Sequence, residues 1–257
     1  MIHWFFLEVA VMRIIGVIPA RYGSTRFPGK PLAPILGKPM IQWVYQRALL
    51  ATGLDDLYIA TDDDRIAEAA RSFGGQVVMT PPDCPTGTDR VWSAVRERAC
   101  DAVLNIQGDE PALDPRSVEA LTTLLRDHPD LPMATLVAPF ASRRNFEDPN
   151  AVKVVLGREG RCLYFSRSPI PHFRDGSIRP DLIWRHVGLY GYRKDFLEEY
   201  TSWPAGNLEA AESLEQLRAL ERGVEIRAAV IPDIGCAVDV PEDIPRAEAA
   251  LRGLGAG

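Results

Sequence analysis

The chain has 257 residues, 46% of them hydrophobic and 25% charged, with a formal net charge of −6. That length buries a core without disulfide or metal staples, and the composition excludes disordered and collagen-like chains. No apolar run approaches the ~20 residues that cross a bilayer, and the negative balance argues against a general grip on nucleic acid. Neither a membrane nor a nucleic acid is therefore expected as a partner. Cys84, Cys100, Cys162 and Cys236 are widely spaced with no C-x-x-C pair, so they read as unpaired thiols of a reducing compartment, the cytoplasm. Residues 1–11 are largely apolar but carry Glu8 and lack a basic start. They read as an N-terminal extension rather than an export signal, with Met12 as an alternative start.

In chain order, residues 13–19 are a continuous apolar run, the pattern of a strand covered on both faces. A helix is expected over 39–50, a strand over 57–60 and a helix over 63–73, closed by Gly74-Gly75. A strand over 76–79, a helix over 88–98 and a strand over 102–106 extend the alternation. It predicts an α/β fold with a mainly parallel, doubly wound sheet, whose ligand loops gather at the carboxyl ends of the strands. Strands over 133–139 and 151–156, a turn at 157–160 and a strand over 161–165 add an antiparallel hairpin. A strand over 185–193, a helix over 208–222, a strand over 224–230 and a helix over 242–251 complete the chain. One α/β domain over 12–257, with a small antiparallel insertion around 140–193, is the expected organisation.

The segment Pro19-Ala-Arg-Tyr-Gly-Ser-Thr-Arg-Phe-Pro-Gly-Lys-Pro31 follows the first strand directly. Between Glu8 and Asp55 the chain carries six basic residues and no acidic one. Small residues let successive backbone N–H groups turn toward an anion, and Arg21, Arg26 and Lys30 can neutralise phosphate oxygens. Taken alone, the loop divides between a phosphate site and a solvated basic surface. It is neither the G-x-x-x-x-G-K-[ST] loop nor the G-x-G-x-x-G loop. Downstream, Asp109 and Glu110 stand at the end of a buried strand, and Asp239 follows a strand-like stretch. Two carboxylates beside a phosphate loop fit magnesium, which takes one or two carboxylates plus phosphate oxygens. The bland alternatives are a turn carboxylate for Asp109 and a helix cap for Asp239. Asp62 and Asp63 read as a turn residue and a cap.

Several strings then share one order: IPARYGSTRFPGKPL at 18–32, LGKPMIQWV at 36–44, TGTDR at 86–90, NIQGDEP at 105–111 and PNAVKVV at 149–155. LYFSRSPIP at 163–171, RHVGLYGYR at 185–193, LEQLR at 214–218 and VDVPED at 238–243 follow. Together they resemble the cytidylyltransferases that activate 3-deoxy-manno-octulosonate (Kdo), over nearly the whole chain from Arg13. The resemblance implies the reaction of CTP with Kdo to give CMP-Kdo and pyrophosphate, for lipopolysaccharide biosynthesis, by a homodimer joined through the insertion. It implies Mg²⁺ on Asp109 and Asp239, with Arg21 and Lys30 completing the catalytic set. Pro19, Ala20, Arg21, Ser24, Thr25, Arg26, Lys30, Gly87, Thr88, Arg90 and Asp109 would bind the nucleotide. Gln107, Arg167, His186, Tyr190, Glu209 and Gln216 would bind the sugar acid, with Arg167 pairing its carboxylate. Glu209, Glu212 and Gln216 would share one face of the helix at 208–222.

Two departures stand out. The family segment more often reads Gly-Thr-Glu-Arg than the Gly-Thr-Asp-Arg found here, which leaves a contact from Asp89 open. Cys236-Ala237 replaces a small polar-glycine pair before Asp239. The rival readings are a cytidylyltransferase for 8-amino-Kdo or a sialic acid, and a non-catalytic nucleotide-binding regulator. Sialic-acid enzymes usually carry an R-G-G-S-K-like loop in place of Tyr-Gly-Ser-Thr-Arg, and a dead relative is expected to lose Arg21, Lys30, Asp109 or Asp239.

Overall fold

The computed structural model describes residues 12–23, 26–140, 142–232 and 235–255. The expected extension at 1–11, and Ser24 and Thr25 of the basic loop, lie outside the described residues. In chain order the strands are β1 (Ile14–Ala20), β2 (Pro34–Ile35), β3 (Lys38–Pro39), β4 (Asp56–Thr61), β5 (Val77–Met79) and β6 (Ala102–Asn105), followed by β7 (Met133–Pro139), β8 (Lys153–Leu156), β9 (Cys162–Ser166), β10 (Trp184–Arg193) and β11 (Ile226–Val230). The helices are α1 (Met40–Leu49), α2 (Asp64–Ser72), α3 (Gly87–Val95), α4 (Pro115–Asp127), α5 (Arg143–Glu147), α6 (Lys194–Ser202), α7 (Asn207–Glu212), α8 (Leu217–Glu221) and α9 (Ile244–Gly253).

Strands β5, β4, β1 and β6 lie side by side in parallel, and β11 is parallel to β7. Strand β10 joins the two groups, antiparallel to both β6 and β7. The sheet order is thus β11-β7-β10-β6-β1-β4-β5, with β8 paired to β10 and β9 to β8. The expected mainly parallel α/β sheet and its antiparallel hairpin are both present. The run at 14–20 is apolar throughout because both faces are covered. Ile14 and Ile18 pack with Ile41 and Val44 of α1 and with Leu121 of α4. Ile15 and Val17, pointing the other way at the period of two, pack with Val91 and Val95 of α3.

A third, smaller cluster fixes the functional edge. Ile35, Met40, Trp43, Ala112, Val238, Ala247 and Leu251 are buried together, with Phe27 packed against them. It ties the basic loop, the β2–β3 pair and α9 to the segment that carries Asp239.

The helix expected over 208–222 is two helices. Helix α7 stops at Glu212, Ser213 takes a left-handed backbone with φ 52°, and α8 starts at Leu217. The break has a cause. The Glu212 carboxylate accepts from the Ser166 hydroxyl (2.6 Å) and from Arg167 N (2.9 Å). The Arg167 guanidinium takes the Glu212 and Ser213 carbonyls at 2.8 and 3.3 Å, acceptors that a continuing helix would use internally. Glu209, Glu212 and Gln216 therefore do not share a helical face. Helices α4 and α6 fill stretches where the spacing suggested no element. For α4 a signal was there: Asp114 caps Arg116 N, and Pro115 sits at the first helical position.

Candidate active site

The carboxyl ends of β1 and β6 open into a cavity of about 480 Å³ lined by Pro19, Ala20, Arg21, Arg26, Lys30, Gly87, Arg90, Gln107, Asp109 and Asp239, among others. The expected loop, the α3 start and the acidic centre thus share one wall. Close backbone approach explains two glycines. A Cβ on Gly108 would stand 3.0 Å from the Pro19 carbonyl oxygen, and Gly29, with φ 71°, lets its N–H bond the Tyr22 carbonyl at 2.9 Å. Helix α3 presents its N-terminus here, capped by Thr86, an end that favours anions. Asp89 completes the capping box, accepting from Thr86 N (3.0 Å) and the Thr86 hydroxyl (2.6 Å). The shorter acid is thereby committed to the helix cap. Thr88 is buried behind the wall, its hydroxyl accepting from Asn105 Nδ2 at 3.5 Å, and does not line the cavity. Arg90 reaches Thr80 and lies 3.3 Å from Asp62, while Asp63 caps α2 as expected.

The acidic centre is built by one backbone bond and one ion pair. Val238 N donates to the Asp109 carbonyl at 2.9 Å, which brings the β6 end beside the segment before α9. Lys30 Nζ then stands 2.7 Å from Asp109 Oδ2 and 3.8 Å from Asp239 Oδ1, and Arg26 reaches Asp239 at 3.1 Å. Asp239 is not a helix cap. The Asp243 carboxylate reaches back from the start of α9, accepting from Asp239 N (2.9 Å) and Val240 N (3.2 Å) and so fixing the backbone under Asp239.

A second cavity of about 640 Å³ adjoins the first, with Asp239 in both walls. Its lining includes Glu110, Asp148, Arg185, His186, Gly188, Asp243 and Arg246. A bulge shapes this wall: the β10–β7 register shifts between Val187 and Tyr190. Thr135 Oγ1 gathers the bulge, reaching the Val187 and Leu189 carbonyls at 3.3 and 3.0 Å and lying 3.0 Å from His186 Nε2. Of the six residues expected to hold a sugar acid, only His186 lines this cavity; Gln107 lines the first. Arg167 is instead a brace, its guanidinium on the Glu212, Ser213 and Pro149 carbonyls. Glu209 is bound by both its oxygens to Arg218 at 2.7 and 2.6 Å, and closes the α7 cap through Gly206 N. Tyr190 sits in an aromatic row between His186 and Tyr192. Gln216 is buried, and its Nε2 has no hydrogen-bond partner among the described residues; Asn105 Oδ1 and Glu215 Oε1 are buried in the same condition.

Comparison with known proteins gives the family and supports the fold. A family profile described as Cytidylyltransferase matches residues 15–226. The chain belongs to the cytidylyltransferase family. A 3-deoxy-manno-octulosonate cytidylyltransferase of Syntrophotalea carbinolica is 50% identical over 250 residues, spanning 95% of this chain and 100% of that one. An 8-amino-3,8-dideoxy-manno-octulosonate cytidylyltransferase of Shewanella frigidimarina is also 50% identical, over 93% of this chain and 99% of the other. A solved CMP:2-keto-3-deoxy-manno-octonic acid synthetase complexed with CTP superposes with a TM-score of 0.90 at 44% identity, covering 94% of this chain and 99% of that one. Among the described residues of this cytidylyltransferase, no helix is long and apolar enough to cross a membrane.

Two groups of the second cavity have displaced ionisation. Burial, and then the charge of Asp109, push Glu110 up to about 7, partly countered by Arg185. The sequence reading places Glu110 at the strand end without giving it a role and does not single out Arg185, although each stands inside a quoted motif. His186 is packed between Phe165 and Tyr190, at ring distances of 5.1 and 5.3 Å, and burial lowers it to about 3. The ring is therefore neutral at pH 7. Because the unfolded chain binds that proton near pH 6.5, the neutral ring's contribution is fully present above 6.5 and is lost as pH falls toward 3. In His186→Gln, urea unfolding between pH 4 and 6.5 should show a stability slope smaller by up to about 1.4 kcal/mol per pH unit. An unchanged slope would contradict a neutral, buried His186.

Proposed function

We propose that the chain transfers the cytidylyl group of CTP to the anomeric 2-hydroxyl of Kdo, releasing pyrophosphate. The observation that carries the reading is the junction of two cavities at Asp239, with Asp109 and Lys30 beside it. A donor in one cavity and an acceptor in the other meet only there. In-line attack on the α-phosphorus forms one P–O bond and breaks the bond to pyrophosphate, so catalysis is mainly alignment and charge stabilisation.

The first cavity would take CTP. Arg21, Arg26 and Lys30, with the α3 N-terminus, would hold the triphosphate and steady the leaving pyrophosphate. Pro19, Ala20 and Gly87 would frame the base. Ser24 and Thr25 stay in the nucleotide set as expectations. The second cavity would take the acceptor, with His186 as a neutral hydrogen-bonding wall.

The acidic centre fits a divalent cation, because Asp109 and Asp239 converge on one positive group, the Lys30 ammonium, within 3.8 Å. These two carboxylates would hold Mg²⁺, which when bound lowers the pKa of the attacking hydroxyl and offsets charge at the α-phosphate. Lys30 would then move from the carboxylates to phosphate oxygens.

The 8-amino sugar is the second reading, because relatives named for that acceptor are as similar as one named for Kdo. Pyrophosphate release with CTP and Mg²⁺ is the test, run with Kdo, 8-amino-Kdo, a sialic acid and no acceptor. Release with Kdo is expected, and Asp109→Asn or Asp239→Asn should cut turnover at least about 100-fold while the fold is kept. Release only with another acid would move the assignment to that acceptor. Silence with every acceptor, in protein that binds CTP, would overturn it in favour of a regulator.

The same reading makes the protein a cytoplasmic homodimer that supplies lipopolysaccharide synthesis. Leu163 on the hairpin and Leu182 before β10 are exposed at 53% and 38%, apolar surface that a partner subunit would cover. Sedimentation velocity should give a dimer that Leu163→Glu weakens; a wild-type monomer would contradict it.

A further inference from the structure

We propose that Tyr22, held between Gly29 and the Arg65 guanidinium, is a positioning residue that sets the spacing of the phosphate-binding cations Arg21 and Lys30. The inference rests on reading the 480 Å³ cavity as the site of the CTP triphosphate. Arg21 and Lys30 line that cavity, whereas neither Tyr22 nor Arg65 does. The influence of this pair on a nucleotide would therefore act through the loop, not by contact.

The clamp closes the neck of the basic loop. Arg21 immediately precedes Tyr22 and Lys30 immediately follows Gly29, so whatever joins Tyr22 to Gly29 fixes how far apart the two cations start. Two contacts join them. Gly29 N donates to the Tyr22 carbonyl at 2.9 Å, and a Cβ on Gly29 would stand 3.1 Å from Cε2, Cζ and Oη of the Tyr22 ring. The ring thus lies against bare backbone, at a residue whose φ of 71° already favours glycine. Beyond Gly29 the chain turns at once. Leu32 N donates to the Gly29 carbonyl at 2.8 Å, and Ala33 N donates to the Lys30 carbonyl at 3.1 Å. Lys30 leaves the clamp in a fixed turn, with its Nζ 2.7 Å from Asp109 Oδ2.

The face of the ring is covered by Arg65, whose Cζ stands 3.3 Å from the ring centroid, a cation stacked on an aromatic face. That guanidinium is itself fixed. Its Nε and Nη2 donate to the two Asp63 carboxylate oxygens at 3.0 and 2.7 Å, and Asp63 also accepts from Arg65 N as the cap of α2. Helix α2 is seated in the core by Ile66 and Ala70, in the same cluster against which Tyr22 packs. The loop is thereby tied to the body of the fold through an aromatic ring, which leaves its basic side chains for the cavity. A single exposed cation–π contact is modest, but groups that meet a reacting phosphate must be placed closely, since a shift of about 1 Å can cost about 100-fold in rate.

The test measures binding of CTP and of CMP by calorimetry, with Mg²⁺ and no acceptor, in wild type, Tyr22→Leu, Tyr22→Phe, Arg65→Gln and Arg71→Gln. CMP lacks the two outer phosphates that the spaced cations would hold. In Tyr22→Leu, CTP affinity should fall at least about 10-fold while CMP affinity stays within about twofold. Arg65→Gln should lose about two- to fivefold for CTP alone. Tyr22→Phe keeps the ring and should bind CTP within about twofold of wild type. Arg71→Gln removes a charge from the last turn of α2 and should leave the ratio of CTP to CMP affinity unchanged. A general packing role would weaken CTP and CMP alike, and a long-range charge effect would show in Arg71→Gln as in Arg65→Gln; either result overturns the inference. So does an unchanged ratio in both Tyr22→Leu and Arg65→Gln, and if Tyr22→Leu does not fold, Arg65→Gln, altered at an exposed side chain, decides alone. A wild type that binds CMP but gains nothing from the outer phosphates of CTP, or binds neither nucleotide, would overturn the reading of the cavity as well.

Discussion

The hydrogen bond from Val238 N to the Asp109 carbonyl, 2.9 Å long, joins two segments that are far apart in the chain, and the site depends on it. Without it the β6 end and the segment before α9 would each carry a carboxylate with no shared ligand. The bond is held from behind, because Val238 is fully buried in the cluster formed with Ile35, Met40, Trp43, Ala247 and Leu251. Burying a side chain of that size is worth roughly 1.5–3 kcal/mol, so hydrophobic packing holds the backbone whose next residue is Asp239. Asp243 then fixes the amides of Asp239 and Val240. The backbone that carries the carboxylate is thus fixed independently of the ion pairs the carboxylate makes with Arg26 and Lys30.

Charge at this edge is arranged in alternation. Asp109 and Glu110 are adjacent in sequence yet serve different cavities, the first beside Lys30 and the second beside Arg185. Their mutual repulsion, added to burial, keeps Glu110 reluctant to ionise. Asp239 lies where the cavities meet and is shared by Arg26 and Lys30. A protein with a net charge of −6 can still attract a triphosphate here, because exposed charges beyond a Debye length of about 8 Å are largely screened.

The parallel half of the fold was legible in the sequence because each strand there is a short apolar run between clear helix and turn signals. Strands expected at 13–19, 57–60 and 102–106 occur within one residue of those bounds. The wall of the first cavity was legible for the same reason: Arg21, Lys30 and Asp109 follow strand ends, where a parallel sheet presents its loops. The second cavity and the break after α7 were not. They depend on a bulge in β10, on a non-glycine left-handed residue at Ser213 and on Arg167 capping α7 from another element. None of these leaves a periodic trace, and an apolar spacing that continues through 208–222 hides the break. The resemblance implied Arg167 as the partner of the sugar carboxylate, but three backbone carbonyls claim its guanidinium here.

The central claim is that phosphoryl transfer takes place where the two cavities meet, beside Asp109 and Asp239. A crystal structure of the protein with CTP, Mg²⁺ and an unreactive 2-deoxy analogue of the acceptor tests it most directly. The account predicts the nucleotide in the cavity walled by Arg21 and Gly87 and the analogue in the one walled by Arg185 and His186. The α-phosphorus should lie between them beside both carboxylates, with Lys30 withdrawn onto phosphate oxygens. Both ligands in one cavity, or an α-phosphorus remote from Asp109 and Asp239, would contradict it.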